Sequence, residues 1–327
     1  MEYLPDFTTH RPATVAEAVK IYAGHGAARY FAGGTDMIVN VRRGIEQPQH
    51  LIDLSAIAEL GAIRADADGL VIGSGVSLAE IAGHERVRRD FAAVAEAAGE
   101  VAGPTHRQYG TIGGNLCLDT RCIFYNQSEW WRKSNAYCLK SRGEVCHVAP
   151  GGKRCFAAYS GDTAPALLVY RAEVELIGPG GRRRIPLAEL YRNDGMDQLA
   201  IEAGELLTAV HLPGTEAGAA AGYAKSRVRG SIDFPLAGCA LWLKQEGGRV
   251  AELRVALTGV SPIPYLVKGT GAFHGAPLDE AARQALAELV QHAAKPMATT
   301  TVKPWYRRRV SGALAKRLAR RLAGHRT

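Results

Sequence analysis

The chain has 327 residues, 47% of them hydrophobic and 22% charged, with a formal net charge of +8 at pH 7. That length exceeds one typical core, so two domains are expected, and the composition is that of a globular protein. No apolar run reaches the roughly 18–20 residues needed to cross a bilayer. Met1-Glu2-Tyr3-Leu4-Pro5-Asp6 carries neither a basic n-region nor an apolar h-region, which leads to the expectation of a cytoplasmic protein. The positive balance suits an acidic partner or a dispersed, solvated surface, and no aromatic–basic motif points to nucleic acid.

Residues 14–25 place apolar side chains at 15, 18, 19 and 22, a helical spacing with Thr14 as N-cap. A short strand over 28–32 ends at Gly33-Gly34-Thr35-Asp36, and a helix follows over 37–43. Strands are expected at 50–54 and 70–73, helices at 78–83 and 91–102, and a short helix at 163–170. Residues 172–177 read as a strand, Gly178-Pro179-Gly180-Gly181 as a turn into a second one, and 206–212 as a strand closing the first domain. The small residues 214–222 make the best linker. Beyond them lie strands at 236–244 and 250–258, joined by Gly247-Gly248, and helices near 278–294 and 300–323. The fold class is therefore α+β, with domains at 1–214 and 215–327, the second a small sheet covered by helices. The basic stretch Lys303–Arg326 repeats apolar residues at Val310, Leu314, Leu318 and Leu322, so it reads as a solvated helix with one packed face.

Two glycine-rich segments stand out. Phe31-Ala32-Gly33-Gly34-Thr35-Asp36-Met37 joins a strand to a helix start, and Gly110-Thr111-Ile112-Gly113-Gly114-Asn115 repeats the paired glycines. Such turns let a backbone approach a phosphate closely, and the amide of Asn115 is able to hold a phosphate or ring atom. Neither is G-x-G-x-x-G, and each alone is equally a plain tight turn.

Together the two motifs resemble those of the FAD-binding medium subunits of molybdenum hydroxylases, the family of xanthine dehydrogenases, carbon monoxide dehydrogenases and 4-hydroxybenzoyl-CoA reductase. The resemblance covers essentially the whole chain. It runs through AGGTD (32–36), TIGGN (111–115), GDTAPALL (161–168), GELLTAVHLP (204–213), Tyr223-Ala224-Lys225 with Arg227 and Asp233-Phe234, and Trp305-Tyr306-Arg307. It implies a two-lobed FAD-binding domain and a C-terminal α+β domain. Arg29, Tyr30, Phe31, Ala32, Gly33, Gly34, Thr35, Asp36 and Met37 resemble the first pyrophosphate loop; Thr111, Gly113, Gly114 and Asn115 resemble the second. By the same resemblance Val101 packs near the flavin, Asp162 binds the adenosine ribose, Leu206 or Leu207 lines the flavin ring, and Lys225 faces it from the second domain. A solvated lysine is the plain alternative for Lys225.

Five of the six cysteines fall within 39 residues, Cys117 to Cys155; the sixth, Cys239, sits in an apolar strand pattern as a small buried hydrophobe. The segment 116–158 is an insertion relative to most of the family, where a cysteine often follows the GGNL, so Cys117 is set aside as a family position. The remaining Cys122, Cys138, Cys146 and Cys155 are separated by 15, 7 and 8 residues, without the close pairs of structural zinc sites and without the ferredoxin run. Zinc, free thiols and a cluster stay open on spacing alone. The insertion resembles that of the 4-hydroxybenzoyl-CoA reductase flavoprotein subunit, which implies a [4Fe–4S] cluster on these four cysteines. Phe124, Tyr125, Trp130, Trp131 and Tyr137 read as packing of a small lobe, and His147 as a surface residue.

That resemblance implies an electron-transfer subunit, carrying FAD and [4Fe–4S], of a ferredoxin-dependent 4-hydroxybenzoyl-CoA reductase. Its partners are a molybdopterin-containing large subunit and a [2Fe–2S] small subunit in a dimer of heterotrimers. The alternatives are an oxidising molybdenum hydroxylase whose flavin passes electrons outward, or a zinc-stapled interaction scaffold. Between 116 and 158, seven Lys/Arg (Arg121, Arg132, Lys133, Lys140, Arg142, Lys153, Arg154) face three acids, a positive lobe suited to an acidic ferredoxin.

Overall fold

The computed structural model describes residues 4–67 and 69–324. Met1–Tyr3, Asp68 and His325–Thr327 lie outside the described residues, and with them the extremes of the two expected domains, part of the expected N-terminal signal-free stretch, and Arg326. The elements fall into three layers, each built on its own sheet.

In the first layer, β1 (Thr8–His10), β3 (His50–Asp53) and β2 (Ala28–Phe31) form a parallel sheet in that order, with α1 (Val15–Gly24) beside it. Thr14 caps α1 as expected, its Oγ1 accepting from the Glu17 amide at 3.2 Å. The helix buries Val15 and Ala18 against Ala28, Ile52 and Leu206. Strand β1 escapes sequence reading because three residues carry no periodicity. α2 (Met37–Arg42) follows the first glycine segment.

The second layer is a five-stranded antiparallel sheet, β4 (Ile63–Asp66), β5 (Gly69–Gly73), β8 (Leu206–Pro213), β6 (Glu173–Gly178) and β7 (Gly181–Pro186) in spatial order. Against it lie α3 (Leu78–Gly83), α4 (Glu85–Asp90), α5 (Ala92–Glu100), α6 (Pro104–Tyr109), α7 (Ile112–Leu116) and α9 (Thr163–Val169). The expected helix over 91–102 is shorter, ending before Val101, and the two short helices α6 and α7 had no expectation. Every residue of α9 is buried, because both the second sheet and the third pack on it.

The third layer has β12 (Tyr265–Leu266), β11 (Arg249–Thr258), β10 (Ala237–Glu246) and β9 (Ala219–Ser226) in one antiparallel sheet, covered by α10 (Glu280–Ala293) and α11 (Pro304–Ala323). Gly247 and Gly248 turn the β10–β11 hairpin with positive φ at both, as their pairing anticipated. The expected linker 214–222 needs correcting: from Ala219 it is strand β9. Its residues are small because β9 lies tightly on α5 and α11. A side chain at Gly222 would overlap the Arg321 guanidinium, and the Tyr223 amide donates to Glu96 Oε2 at 2.7 Å. In α11, Leu314, Leu318 and Leu322 are buried and Val310 half-buried, while Arg308, Arg309, Arg317 and Arg320 are exposed, as the four-residue repeat implied. Arg307 is the exception. It is wholly buried and donates to the carbonyls of Leu236, Met297 and Gly259 and to Thr299 Oγ1, and burial pushes its pKa down to about 10. No helix among the described residues is long and apolar enough to cross a membrane.

Candidate functional site

The two glycine segments meet. Gly33 lies against the end of α6, where any side chain would overlap the Tyr109 carbonyl, and Gly110 lies beside Thr35 Oγ1. Gly34 has φ +65°, a conformation that favours glycine. Among the described residues, the amides of Gly33, Gly34 and Thr35 have no protein acceptor, while Gly33 and Thr35 are exposed. The first segment therefore offers free main-chain donors.

The second segment differs. Its amides are spent within the protein: Ile112 on Val76 O (3.1 Å), Gly113 on Ser74 O (2.9 Å), Gly114 on Thr111 Oγ1 (3.1 Å) and Asn115 on Thr111 O (2.9 Å). Thr111 is thus the N-cap of α7, and Gly113 is small because Ser74 presses on it. The Asn115 side-chain oxygen accepts from both the amide (3.0 Å) and hydroxyl (2.7 Å) of Thr163, tying α7 to α9. These amides and Asn115 Oδ1 are engaged within the protein, while the Asn115 side-chain NH2 donates to none of the described residues. Gly114 alone is exposed, with only Thr111 Oγ1 near its missing side chain, so its surface is open for a close approach.

Around the loops, Arg29 pairs with Glu46 at 3.2 Å, and Tyr30 Oη donates to the Gly204 carbonyl at 2.9 Å, while Phe31 and Ala32 are half-buried and Met37 opens α2. Val101 is half-buried against the second-layer core. Leu206 and Leu207 are both buried, on opposite faces of β8: Leu206 packs in the first-layer core and Leu207 in the second.

Asp162 and Lys225 come together, which sequence reading did not foresee. Asp162 Oδ2 accepts from Lys225 Nζ at 3.1 Å and Oδ1 from Tyr223 Oη at 2.6 Å. The Lys225 side chain is 1% exposed, so the solvated reading fails. Both residues of β9 reach across to the start of α9. In this geometry they form a buried pair that joins the third layer to the second. Burial pushes the Asp162 carboxyl up to about 6, against the pull of Lys225 and Tyr223.

The insertion leaves and rejoins the body at one place, where Arg121 and Ala158 exchange backbone hydrogen bonds of 2.7 and 2.8 Å. Its regular structure is one short helix, α8 (Glu129–Ser134), capped by Ser128. Side-chain bonds hold the rest. Arg132, 1% exposed, donates to the carbonyls of Gln127 (2.6 Å), Arg43 (2.9 Å) and Gly44 (3.0 Å), fastening the lobe to the end of α2. Arg121 pairs with Asp36 of the first glycine segment and lies over the Phe234 ring. Asp36 thus serves as the latch between loop and lobe, and Arg121 is the partner that sequence reading missed; it showed there only as one charge among seven.

Cys122, Cys138, Cys146 and Cys155 are all buried and line one pocket, with Phe124, Tyr125 and His147. Burial pushes the thiols of Cys122 and Cys155 up to about 12 and about 11, and each also feels the other thiols of the group. Bare thiols at Cys122 and Cys155 stay protonated; a metal that compensates their charge makes them thiolates. Cys117 lies apart, its thiol against the second-layer core, and Cys239 is fully buried in β10. Two expectations about the lobe need correction. Trp130 is 76% exposed and packs nothing, since it sits on the outer face of α8. His147 is half-buried, its Nε2 2.6 Å from the Tyr137 carbonyl, and it lines the thiol pocket.

A cavity of about 820 Å³ opens elsewhere, between the second and third layers beside Glu96, Tyr170, His211 and Arg254. Neither glycine segment nor any of the four thiols lines it, so its size says nothing about the site.

Comparison with known proteins agrees with this architecture. Residues 5–215 match the family model "FAD binding domain in molybdopterin dehydrogenase", and residues 221–322 match "CO dehydrogenase flavoprotein C-terminal domain". The chain is 34% identical to the aldehyde oxidoreductase FAD-binding subunit of Escherichia coli (strain K12), covering 81% of this chain and 85% of that one. It is 29% identical to the carbon monoxide dehydrogenase medium chain of Hydrogenophaga pseudoflava, over 79% and 76% of the two chains. A solved carbon monoxide dehydrogenase from Hydrogenophaga pseudoflava superposes with a TM-score of 0.80 at 26% identity, over 97% of each chain. Two glycine segments meeting at one edge, in a chain matched by both family models nearly end to end, lead to one conclusion: this protein belongs to the FAD-binding medium subunits of the molybdenum hydroxylase family, and is an oxidoreductase subunit.

Proposed function

We propose that the chain carries two electron centres, FAD at the meeting of the glycine segments and a [4Fe–4S] cluster on Cys122, Cys138, Cys146 and Cys155, and passes electrons between them. One observation carries the proposal: four buried thiols line a single pocket in a lobe latched to the first glycine segment through Arg121 and Asp36. The residues fit both groups. The free amides of Gly33, Gly34 and Thr35 suit a pyrophosphate, and the open surface at Gly114 suits a group lying against it. When bound, FAD supplies the electron chemistry, and the protein positions it.

The sequence spacing of the four cysteines favours a cluster over one zinc ion: 15, 7 and 8 residues separate them, without the close pairs of structural zinc sites. Four cysteines lining one pocket are the number a four-iron cluster takes.

The partners this reading requires are a molybdopterin-containing large subunit and a [2Fe–2S] small subunit, in a dimer of heterotrimers. Two directions of electron flow follow from different observations. The named relatives are an aldehyde oxidoreductase subunit and carbon monoxide dehydrogenase chains, which favours oxidation of a substrate with electrons leaving through the flavin. The inserted lobe resembles that of 4-hydroxybenzoyl-CoA reductase, which favours entry from reduced ferredoxin toward molybdenum. Purified protein is tested first for flavin and iron: FAD with about four irons per chain is expected, and zinc without iron sinks the cluster. The assembled complex is then offered an aldehyde with an electron acceptor, and separately reduced ferredoxin with 4-hydroxybenzoyl-CoA. The pair that turns over fixes the direction.

A further inference from the structure

Three histidines that neither the flavin site nor the cysteine lobe uses converge at the edge of the first sheet. His10 ends β1, His25 is the C-cap of α1, and His50 opens β3. In the parallel register, His50 stands opposite Thr8 and His10 opposite Ile52, so the two imidazoles lie two residues apart on one face. The end of α1 brings His25 over them. Ring centroids are 4.2 Å apart for His25 and His50, 4.8 Å for His10 and His25, and 5.2 Å for His10 and His50. His10 Nε2 is 3.1 Å from His50 Nδ1, and one donor nitrogen from each ring lies within 4.8 Å of the other two.

We propose that His10, His25 and His50 form a binding site for a late first-row divalent cation such as zinc. The chemistry of the donors selects this class. Neutral imidazole offers one lone pair per ring, and imidazole suits zinc, copper and nickel. Two nitrogens bound to tetrahedral zinc at about 2.0–2.1 Å stand about 3.3 Å apart, close to the separation His10 and His50 already have. No acid or Arg/Lys among the described residues forms an ion pair with any of the three. All three rings are partly open to solvent, so the fourth position opens to water. A bound ion would tie β1, the end of α1 and β3 together. Strand β3 pairs with β2, which feeds the Gly33–Thr35 loop, so the ion would brace the lobe that carries the first glycine segment. This inference rests on neither the flavin nor the cluster reading.

The test titrates zinc into the full chain, flavin-loaded, in competition with a chromophoric chelator, for wild type and His25→Ala. His25 is partly open to solvent at a helix end, so its loss leaves the fold intact, and flavin content checks that. All six cysteines remain in both proteins, so any difference belongs to the histidines. Wild type is expected to bind about one zinc per chain more than the variant, or to bind it at least about tenfold more tightly, the lower end of what losing even an outer-shell partner of a metal site costs. X-ray absorption of that extra zinc should show nitrogen and oxygen neighbours without sulfur, and melting temperature should rise with zinc in wild type more than in the variant. Equal stoichiometry and affinity in the two proteins, or zinc held only by sulfur, overturns the site.

Discussion

What the glycine segments offer a ligand is main chain, and what the cysteine lobe offers is side chain. Gly33, Gly34 and Gly114 matter for what they lack, and the sheets and helices behind them set their positions. The lobe has a single six-residue helix, and Arg132, Arg121 and buried aromatic packing hold its thiols in place. The first kind of site tolerates no added atoms but needs no particular side chain. The second needs four particular side chains and is otherwise open to change. Among the described residues one ion pair, Arg121 with Asp36, links the lobe to the first glycine segment, and the second segment runs directly into the lobe.

The largest effect expected is loss of one centre with the other intact. Cys122→Ser, Cys138→Ser, Cys146→Ser and Cys155→Ser should each lose most of the iron and keep FAD, while Cys117→Ser keeps both. Iron analysis and the flavin spectrum of the same sample read this out. Full iron in Cys138→Ser, or iron loss in Cys117→Ser alone, breaks the assignment.

The reciprocal experiment uses the glycines. Gly34→Val and Gly114→Val should lose FAD and keep iron, because the added branches fill space beside the loop and, at Gly34, also oppose a φ of +65°. Gly33→Ala should lose FAD too, but with a lower melting point even without flavin, since its methyl group meets the Tyr109 carbonyl. Gly114→Val, on an open surface, should melt like flavin-free wild type. Normal flavin occupancy in Gly114→Val would falsify the close approach at that residue.

A smaller effect is expected at the latch. Arg121→Met should retain both centres but cost about 1.5–3 kcal/mol of stability, the worth of hydrogen bonds to a charged partner. Electron exchange between iron and flavin, followed by rapid mixing, should slow because the lobe is no longer held to the loop. An unchanged rate means that Arg132 alone sets the geometry.

The Asp162–Lys225 pair gives a pH dependence. With its folded pKa raised to about 6, Asp162 keeps a proton in the native state that the unfolded chain releases near 3.8. Between those values the native state binds more protons, so this group's contribution to stability falls as pH rises through the window and levels off above it, by at most about 1.4 kcal/mol per pH unit. Denaturant melts from pH 4 to 7 should show this slope in wild type and not in Asp162→Asn. Identical slopes in the two would show that Lys225 keeps the carboxylate ionised throughout.

The smallest effect concerns the positive lobe. Of its seven cations, Arg121, Arg132, Lys140 and Arg154 are spent within the protein, Lys140 on Asp119 and Thr120 and Arg154 on the Asn193 carbonyl. Docking of an acidic donor therefore falls to Lys133, Lys153 and Arg142, which are exposed, Arg142 also pairing with Glu129 at 2.6 Å on the surface. Reversing these three to Glu should slow ferredoxin-driven reduction a few-fold at low salt and spare a small neutral donor. No salt dependence in either protein removes ferredoxin docking from the lobe.

Much of the fold was legible in sequence because local physics writes it there. Thr14 caps α1, alternation and Gly247-Gly248 mark the β10–β11 hairpin, and the four-residue repeat of Leu314, Leu318 and Leu322 marks the inner face of α11. The small residues before Tyr223 misled, since the same smallness that suits a linker also lets β9 lie on α5. At the site, sequence alone determined which residues are candidates: paired glycines and clustered cysteines are rare enough to stand out wherever they fall. Only the tertiary structure decided how they are used. The Gly113 amide is spent because Ser74, 39 positions earlier in the chain, comes within reach, whereas no described residue accepts from the Gly33 amide. Asp162 meets Lys225 and Arg121 meets Asp36 across 63 and 85 residues, and His10, His25 and His50 meet through a strand register. Such pairings depend on the packing of distant elements, which no window of sequence contains.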